Sequence, residues 1–268
     1  MKLSDTRALL TGASGGIGQP LAGQLCAAGA KLIVAGRDAE SLAAIASRHP
    51  GQVTVVPADL RRREGRDAVE DAVRRAGGVN CLINAAGINR FTMLEQQDEE
   101  SIADVLDLNV TANLQLTHRL LPMLRREPTA LVVNVGSTFG SIGYPGFAAY
   151  CASKFAVRGF SEALRRELAD TRVKVLYIAP RATKTAMNAA PVVAMNRQLN
   201  VAMDDPAFVA SRIVEAIGRE REELYFGWPE KLFVKLNGLL PRLVDQALRK
   251  QLPTIQHFAR TDIPEKTA

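Results

Sequence analysis

No stretch of the 268 residues reaches about 18 consecutive apolar side chains, so the sequence offers no segment able to cross a bilayer as a helix. Cysteine is scarce. Cys26, Cys81 and Cys151 are odd in number and widely spaced, which points to no disulfide framework, no metal site and a reducing, cytoplasmic compartment. Met1 to Arg7 leads straight into a strand pattern, so no signal peptide is expected. Internal repeats, low-complexity tracts and a second composition-defined domain are also missing. Long blocks of one charge are absent too. The densest basic cluster, Arg61 to Arg63, is followed by Glu64 and Asp67 and reads as the solvated start of a helix. Nucleic acid is therefore not an expected partner. The net charge of +6 suits anionic ligands such as phosphates, or an anionic membrane surface. What remains is enough chain for one large α/β domain, with 47% hydrophobic residues to fill its core.

The most informative stretch runs from Ser137 to Lys154. An apolar run, Ala130 to Val135, precedes it and reads as a buried parallel strand. Helical spacing follows Lys154. Ser137 then stands at the C-terminal end of a strand, where open α/β sheets bind ligands. Tyr150 and Lys154 are four apart at a helix start and share a face. A free tyrosine, with a pKa of about 10, is a poor proton donor or acceptor at neutral pH. An ammonium one turn away is expected to lower it. Ser137 can donate to the same substrate oxygen. Together they equip a site for carbonyl/alcohol interconversion, if a hydride carrier lies nearby. As an isolated pair, Tyr150 and Lys154 would read as ordinary surface residues, and it is the rest of the chain that reverses this.

The start of the chain supplies the setting for such a carrier. Ala8 to Leu10 is a short strand, Thr11 to Gly18 a glycine-rich turn, and Gln19 to Ala28 a helix ended by Gly29. Glycines at 12, 15, 16 and 18 let backbone approach a pyrophosphate, and the helix start supplies N–H donors. The second strand, Lys31 to Gly36, ends in Gly36-Arg37-Asp38, where many NAD-binding folds place an acidic residue. Arg37 either pairs with a 2′-phosphate, favouring NADP, or is an exposed arginine beside the helix cap Asp38. Asp59 and Leu60 follow the third strand, Val53 to Pro57. Asp59 can bond an adenine amine, cap the helix from Arg61 to Ala76, or both. Asn84-Ala85-Ala86-Gly87 follows the fourth strand and allows close approach to a cofactor, although a tight turn alone would also want Gly87. One long helix is expected from Asp98 to Arg126. Asn109 inside it is either a satisfied core residue or part of a polar chain toward Lys154.

The sixth strand, Val173 to Ala179, leads into Pro180-Arg181-Ala182-Thr183-Lys184-Thr185. From there to Asp205 no period is sustained. Residues 186–205 read as an apolar flexible cover over a substrate. A helix from Pro206 to Arg219 and a short strand near Leu224 close the pattern at 227. In the tail, 228–268, Pro229 and Pro241 open short helices. Their apolar stripe, Leu232 to Leu248, is flanked by Lys231, Lys235, Arg242, Arg249 and Lys250. That stripe packs on the domain or a partner subunit, or makes peripheral membrane contact through 229–250.

Taken in order, these segments resemble the single-domain branch of the short-chain dehydrogenase/reductase superfamily over about residues 5–227. The resemblance implies a doubly wound, Rossmann-type sheet of about seven parallel strands with helices on both faces. It places Gly12, Ser14, Gly15, Gly16, Ile17 and Gly18 at the cofactor phosphates and Asp59 at the adenine. It puts Asn84, Ala85 and Gly87 beside the cofactor, and Asn109, Ser137, Tyr150 and Lys154 as the catalytic tetrad. Tyr150 would exchange the proton, and Lys154 would also bind the nicotinamide ribose. Pro180, Thr183 and Thr185 would form the nicotinamide loop, with Arg181 standing where the family carries glycine. Dimers or tetramers through the two long helices are implied. The expected activity is NADP-dependent interconversion of a small apolar carbonyl and its alcohol, with an acyl-chain or steroid-like substrate. A 3-oxoacyl thioester reductase and a non-catalytic dinucleotide-sensing or scaffold protein are the alternatives.

Overall fold

The computed structural model describes residues 1–260. The first half alternates strand and helix: β1 (Arg7–Thr11), α1 (Gly18–Ala27), β2 (Lys31–Gly36), α2 (Ala39–Arg48), β3 (Val53–Pro57), α3 (Arg63–Arg75) and β4 (Cys81–Asn84). The second half adds α4 (Glu99–Leu106), α5 (Ala112–Leu124), β5 (Ala130–Val135), α6 (Ala148–Glu167), β6 (Val173–Ala179), α7 (Ala190–Gln198), α8 (Pro206–Gly218) and β7 (Glu223–Tyr225). Two further helices, α9 (Trp228–Leu239) and α10 (Pro241–Arg260), complete the described chain.

The sheet has seven strands in the order β3-β2-β1-β4-β5-β6-β7, and every pairing is parallel. Strands buried on both faces need near-continuous apolar runs, and β5 is buried at all six positions. Alternation sends Leu10, Val34, Ile83, Val133 and Ile178 into a core shared with α1 and α8. Their neighbours Leu9, Ile33, Leu82, Val132 and Val175 pack on the other face with α3 and α5. Strand order reverses between β1 and β4, and the crevice above that reversal is where doubly wound sheets bind ligands. Thr11 and Asn84 face each other in register there. The Thr11 hydroxyl accepts from the N–H groups of Ala85 (3.1 Å) and Ala86 (3.2 Å), fixing the direction in which the chain leaves β4.

The helical region expected over 98–126 is continuous from Glu99 to Leu124, with a turn of π-helix, Asp107–Thr111, centred on Asn109. Such turns insert a residue into the helical ladder and re-aim side chains, often at functional sites. The loop expected over 186–205 contains α7. Val192 and Met195 are buried on one face of it, against Phe91, Phe147 and Ile255. Pro191 stands in the first turn of α7, a helix-start position, but the lack of a charged opposite face obscured the helical spacing that follows it. The tail forms helices at both expected prolines, but α10 is long rather than short. Ile255 and Ala259 are fully buried in the cluster holding α7 to the domain, so α10 is part of the fold.

If α10 is integral, Ile255→Ala should lower unfolding free energy by about 2–4 kcal/mol. Urea denaturation checks this, and a loss within about 0.5 kcal/mol would make α10 an appendage.

Candidate active site

Gly12 adopts φ 67°, and a Cβ there would lie 2.7 Å from the backbone of Ala86. Only glycine tolerates both conditions. A Cβ on Gly18 would meet the carbonyl oxygen of Gly12, and one on Gly16 would overlap the Thr185 side chain. The turn is therefore drawn tight against both β4's exit and the loop after β6. Helix α1 begins at Gly18 with no side-chain cap at Ile17. Gln19 and Leu21 donate to the carbonyls of Gly15 and Ile17, and Pro20 has no N–H, which leaves the Gly18 N–H of that first turn for a ligand.

This turn forms one end of a cavity of about 730 Å³ along the C-terminal edge of the sheet. Ser14, Gly15, Gly16, Ile17, Gly18, Arg37, Asp59, Leu60, Ala85 and Gly87 line that end, and Pro180, Thr183 and Thr185 line its floor. At the other end are Ser137, Tyr150 and Lys154. Arg37 is exposed at the rim. Asp59 does not cap α3 with its side chain, because that helix starts after Arg62 without a side-chain cap. Its carboxylate takes Arg61 instead, at 2.7 Å, and Arg61 also reaches Asp104. The Arg61 hydrogen bond, with smaller help from the charge of Arg37, holds the Asp59 carboxyl below its ordinary range.

Two expected residues lie outside the cavity lining. Asn84 is buried beneath it, and its amide donates to Asn134 Oδ1 (2.9 Å) and Thr117 Oγ1 (3.1 Å). That side chain fastens β4 to β5 and α5 and does not line the cavity. Asn109 sits in the π-helical turn with both ends of its amide committed. Its Oδ1 accepts from Ile88 N (2.9 Å), and its Nδ2 donates to Ile88 O (2.9 Å) and Ser153 Oγ (3.0 Å). Ser153 in turn donates to Tyr150 O at 2.7 Å. Gly87 packs between Asn109 and Lys154: a Cβ there would lie 3.1 Å from Asn109 Oδ1 and 3.6 Å from Lys154 Nζ. Among the described residues no direct bond joins Asn109 to Lys154.

Lys154 is 6% exposed, and its ammonium donates to Val135 O at 3.0 Å. Nζ stands 5.7 Å from the centroid of the Tyr150 ring, within cation–π range. The Tyr150 ring is partly buried, wedged between Phe139 and Phe147 at centroid distances of 6.4 and 6.3 Å. Burial pushes its phenol up to about 12, against a lowering effect of the nearby Ser137 hydroxyl. Burial also takes the Lys154 ammonium down to about 8. The expectation that Lys154 lowers the Tyr150 pKa is therefore not met in this structure. The ammonium addresses the ring and a carbonyl, and desolvation penalises both charged forms.

The sequence reading overlooked the supports of this site. Tyr177 on β6, fully buried, donates to Ser137 O at 3.1 Å. Its ring fills the space a Cβ would take at Gly136 and Gly140. Arg181 reaches Asp204 through two bonds (2.7 and 3.0 Å) and Glu230 on α9 (3.2 Å). Phe233, Val244 and Leu248 of the tail roof the cavity, and Gln251 accepts from the Tyr144 hydroxyl at 3.2 Å. The apolar spacing of the tail and the unusual Arg181 were the available signals, but neither gives a direction in space.

A family model described as short chain dehydrogenase matches residues 6–194. The chain belongs to the short-chain dehydrogenase family. Nodulation protein G of Rhizobium sp. (strain N33) is 36% identical over 188 residues, covering 69% of this chain and 76% of that relative. A short-chain dehydrogenase from Burkholderia cenocepacia J2315, solved in complex with NADP, matches at a TM-score of 0.79 and 25% identity, over 92% of this chain and 99% of that one. A 3-ketoacyl-(acyl-carrier-protein) reductase from Brucella melitensis, complexed with NADH, matches at 0.76 and 25% identity, over 83% and 97%. As a family member this short-chain dehydrogenase is an NAD(P)-dependent oxidoreductase. The residues present fit a dinucleotide, because the glycine turn presents backbone rather than side chains to the cavity and the start of α1 has no side-chain cap.

The Lys154 shift gives a pH prediction. The folded chain releases that proton near pH 8, whereas an unfolded lysine holds it to about 10.5. Between these values the unfolded state binds more protons, so stability rises with pH on account of this group. Relative to Lys154→Met, the wild type should gain about 1.4 kcal/mol per pH unit above pH 8, until tyrosine ionisation intervenes near 10. Urea unfolding of both proteins across that window tests the sign, and parallel curves would show that Lys154 is not desolvated.

Proposed function

We propose that this dehydrogenase uses NADP to interconvert an apolar ketone or aldehyde with its alcohol, with Tyr150 as the proton donor and acceptor. One observation carries the reading. The Tyr150 phenol, with Ser137 and Lys154, lines a cavity that joins a glycine-lined cradle to an apolar chamber.

The proposed roles follow from position. The glycine-rich turn from Ser14 to Gly18 holds the pyrophosphate, Arg37 at the rim pairs with the 2′-phosphate, and Asp59 with Leu60 borders the adenine. Thr185, packed on Gly16, holds the carboxamide end, with Pro180 and Thr183 shaping that loop. When bound, the dinucleotide supplies or accepts the hydride. In reduction the carbonyl carbon gains the hydride and its oxygen gains the Tyr150 proton, giving an alcohol. A phenol pushed up to about 12 remains protonated at neutral pH, as a donor must be. Ser137 orients the substrate oxygen, and its own backbone is steadied by Tyr177. Lys154 places a positive charge beside the ring and stabilises the phenolate left after donation. Asn109 acts at one remove, through Ser153 and the Tyr150 carbonyl, and through Ile88. It is a positioning residue.

The substrate chamber supports an apolar occupant. Ile142, Phe147, Val192 and Met195 wall it, and Phe233, Val244 and Leu248 roof it. Likeness to the Brucella ketoacyl reductase favours a 3-oxoacyl thioester as the second reading, and NADPH oxidation with ketones and acyl thioesters separates the two. Self-association is proposed through α4, α5 and α6, where Leu106 and Phe155 stay exposed.

Tyr150→Phe should lower kcat by roughly 100-fold or more while leaving NADPH affinity within about threefold, as read by fluorescence titration and initial rates. Retained turnover would mean the proton comes from another group. Arg37→Ala should raise the Kd for NADPH roughly tenfold to a hundredfold and leave NADH nearly unchanged. Equal losses for both cofactors would refute the 2′-phosphate contact.

A further inference from the structure

At the corner where α9 turns into α10, five large apolar side chains stand in solvent. They are Trp228 and Leu232 on α9, Leu239 and Leu240 at the turn, and Leu243 on the first turn of α10. Leu239 is 81% exposed and Trp228 77%. Positions 228, 232 and 239 share one face of α9. From other positions on the helix, Phe233 lines the cavity and Asn237 donates to Ser141 O at 2.8 Å. Helix α9 has no buried residue, so its apolar outer face serves no core.

Charge identifies what covers that face. Lys231, Lys235, Arg242, Arg249 and Lys250 are exposed on the same hairpin. Of its two acidic side chains, Glu230 is tied inward to Arg181 and only Asp245 faces out unpaired among the described residues. A two-fold contact with a second copy would bring these basic groups against themselves, which opposes association. An anionic bilayer satisfies both features. Apolar side chains enter the headgroup boundary, and lysine and arginine stems reach lipid phosphates.

We propose that the α9–α10 corner docks this protein on an anionic bilayer surface. The contact lies in the interface rather than across it, since no helix among the described residues is long and apolar enough to span. Phe233, Val244 and Leu248 belong to the same hairpin, so docking sets the roof of the cavity against the lipid. The link to an apolar substrate rests on the function proposed above, whereas docking itself is read with no substrate present.

The test floats the full-length protein through a density gradient with vesicles of phosphatidylcholine containing about a third phosphatidylglycerol. The protein should rise with these vesicles and stay behind with phosphatidylcholine alone. Lys231→Ala/Lys235→Ala/Arg242→Ala should lose roughly fivefold in partitioning per charge removed, and Leu239→Glu/Leu243→Glu should lose flotation. None of these five residues lines the cavity, so both variants should keep the parent's circular dichroism and its turnover of a short water-soluble ketone. Failure of the parent to float with anionic vesicles overturns the proposal, as does equal flotation of the leucine variant. A parent that does not float but halves its light-scattering mass on Leu239→Glu/Leu243→Glu overturns it in favour of a second copy. Flotation that follows the expected pattern without turnover upholds docking and defeats the proposed function instead.

Discussion

Keeping an ammonium out of water is the constraint around which this site is built. Lys154 has almost no exposure, and its nearest answers are one carbonyl and the face of one ring. Each neighbour has a shape that this demands. Gly87 leaves room for the ammonium beside Asn109. The π-helical turn rotates Asn109 inward, where Ile88 and Ser153 satisfy it. Val135 ends its strand with a carbonyl aimed at the amine. Without them a buried cation would shed its proton or draw in water.

The same dry surroundings explain why the two ionisable groups move apart from their usual values. A low dielectric penalises phenolate and ammonium alike, so the phenol rises and the amine falls. In this state the pair stores a proton on the oxygen. Favouring the phenolate requires that something outside the pair change the local field, and a charged ligand in the adjoining cradle is one such change.

Much of this was legible from residue order. Apolar runs of strand length, the Thr11–Gly18 turn and the four-residue step from Tyr150 to Lys154 gave the sheet, the cradle and the pairing. What was not legible depends on direction. Asn84 lies on a strand buried at every position, so periodicity could not tell whether its amide faced the cleft or α5. The π-helical turn adds one residue to a ladder without leaving a pattern in composition. The short apolar face of α7, with no charged face opposite, hid that helix. The inward role of Phe233 and Leu248 depends on how α10 is anchored through Ile255, a contact far from either in the chain. The Tyr150 pKa was misjudged because spacing gives proximity but not the solvent that the fold removes.

Arg181, standing where the family carries glycine, has one more consequence. Its guanidinium is shared by the loop after β6, by Asp204 just before α8 and by Glu230 at the start of α9. Three segments distant in sequence thus share one rivet. Displacing any one of them breaks ion pairs held by the others, which ties the loop after β6 to the helix that faces outward.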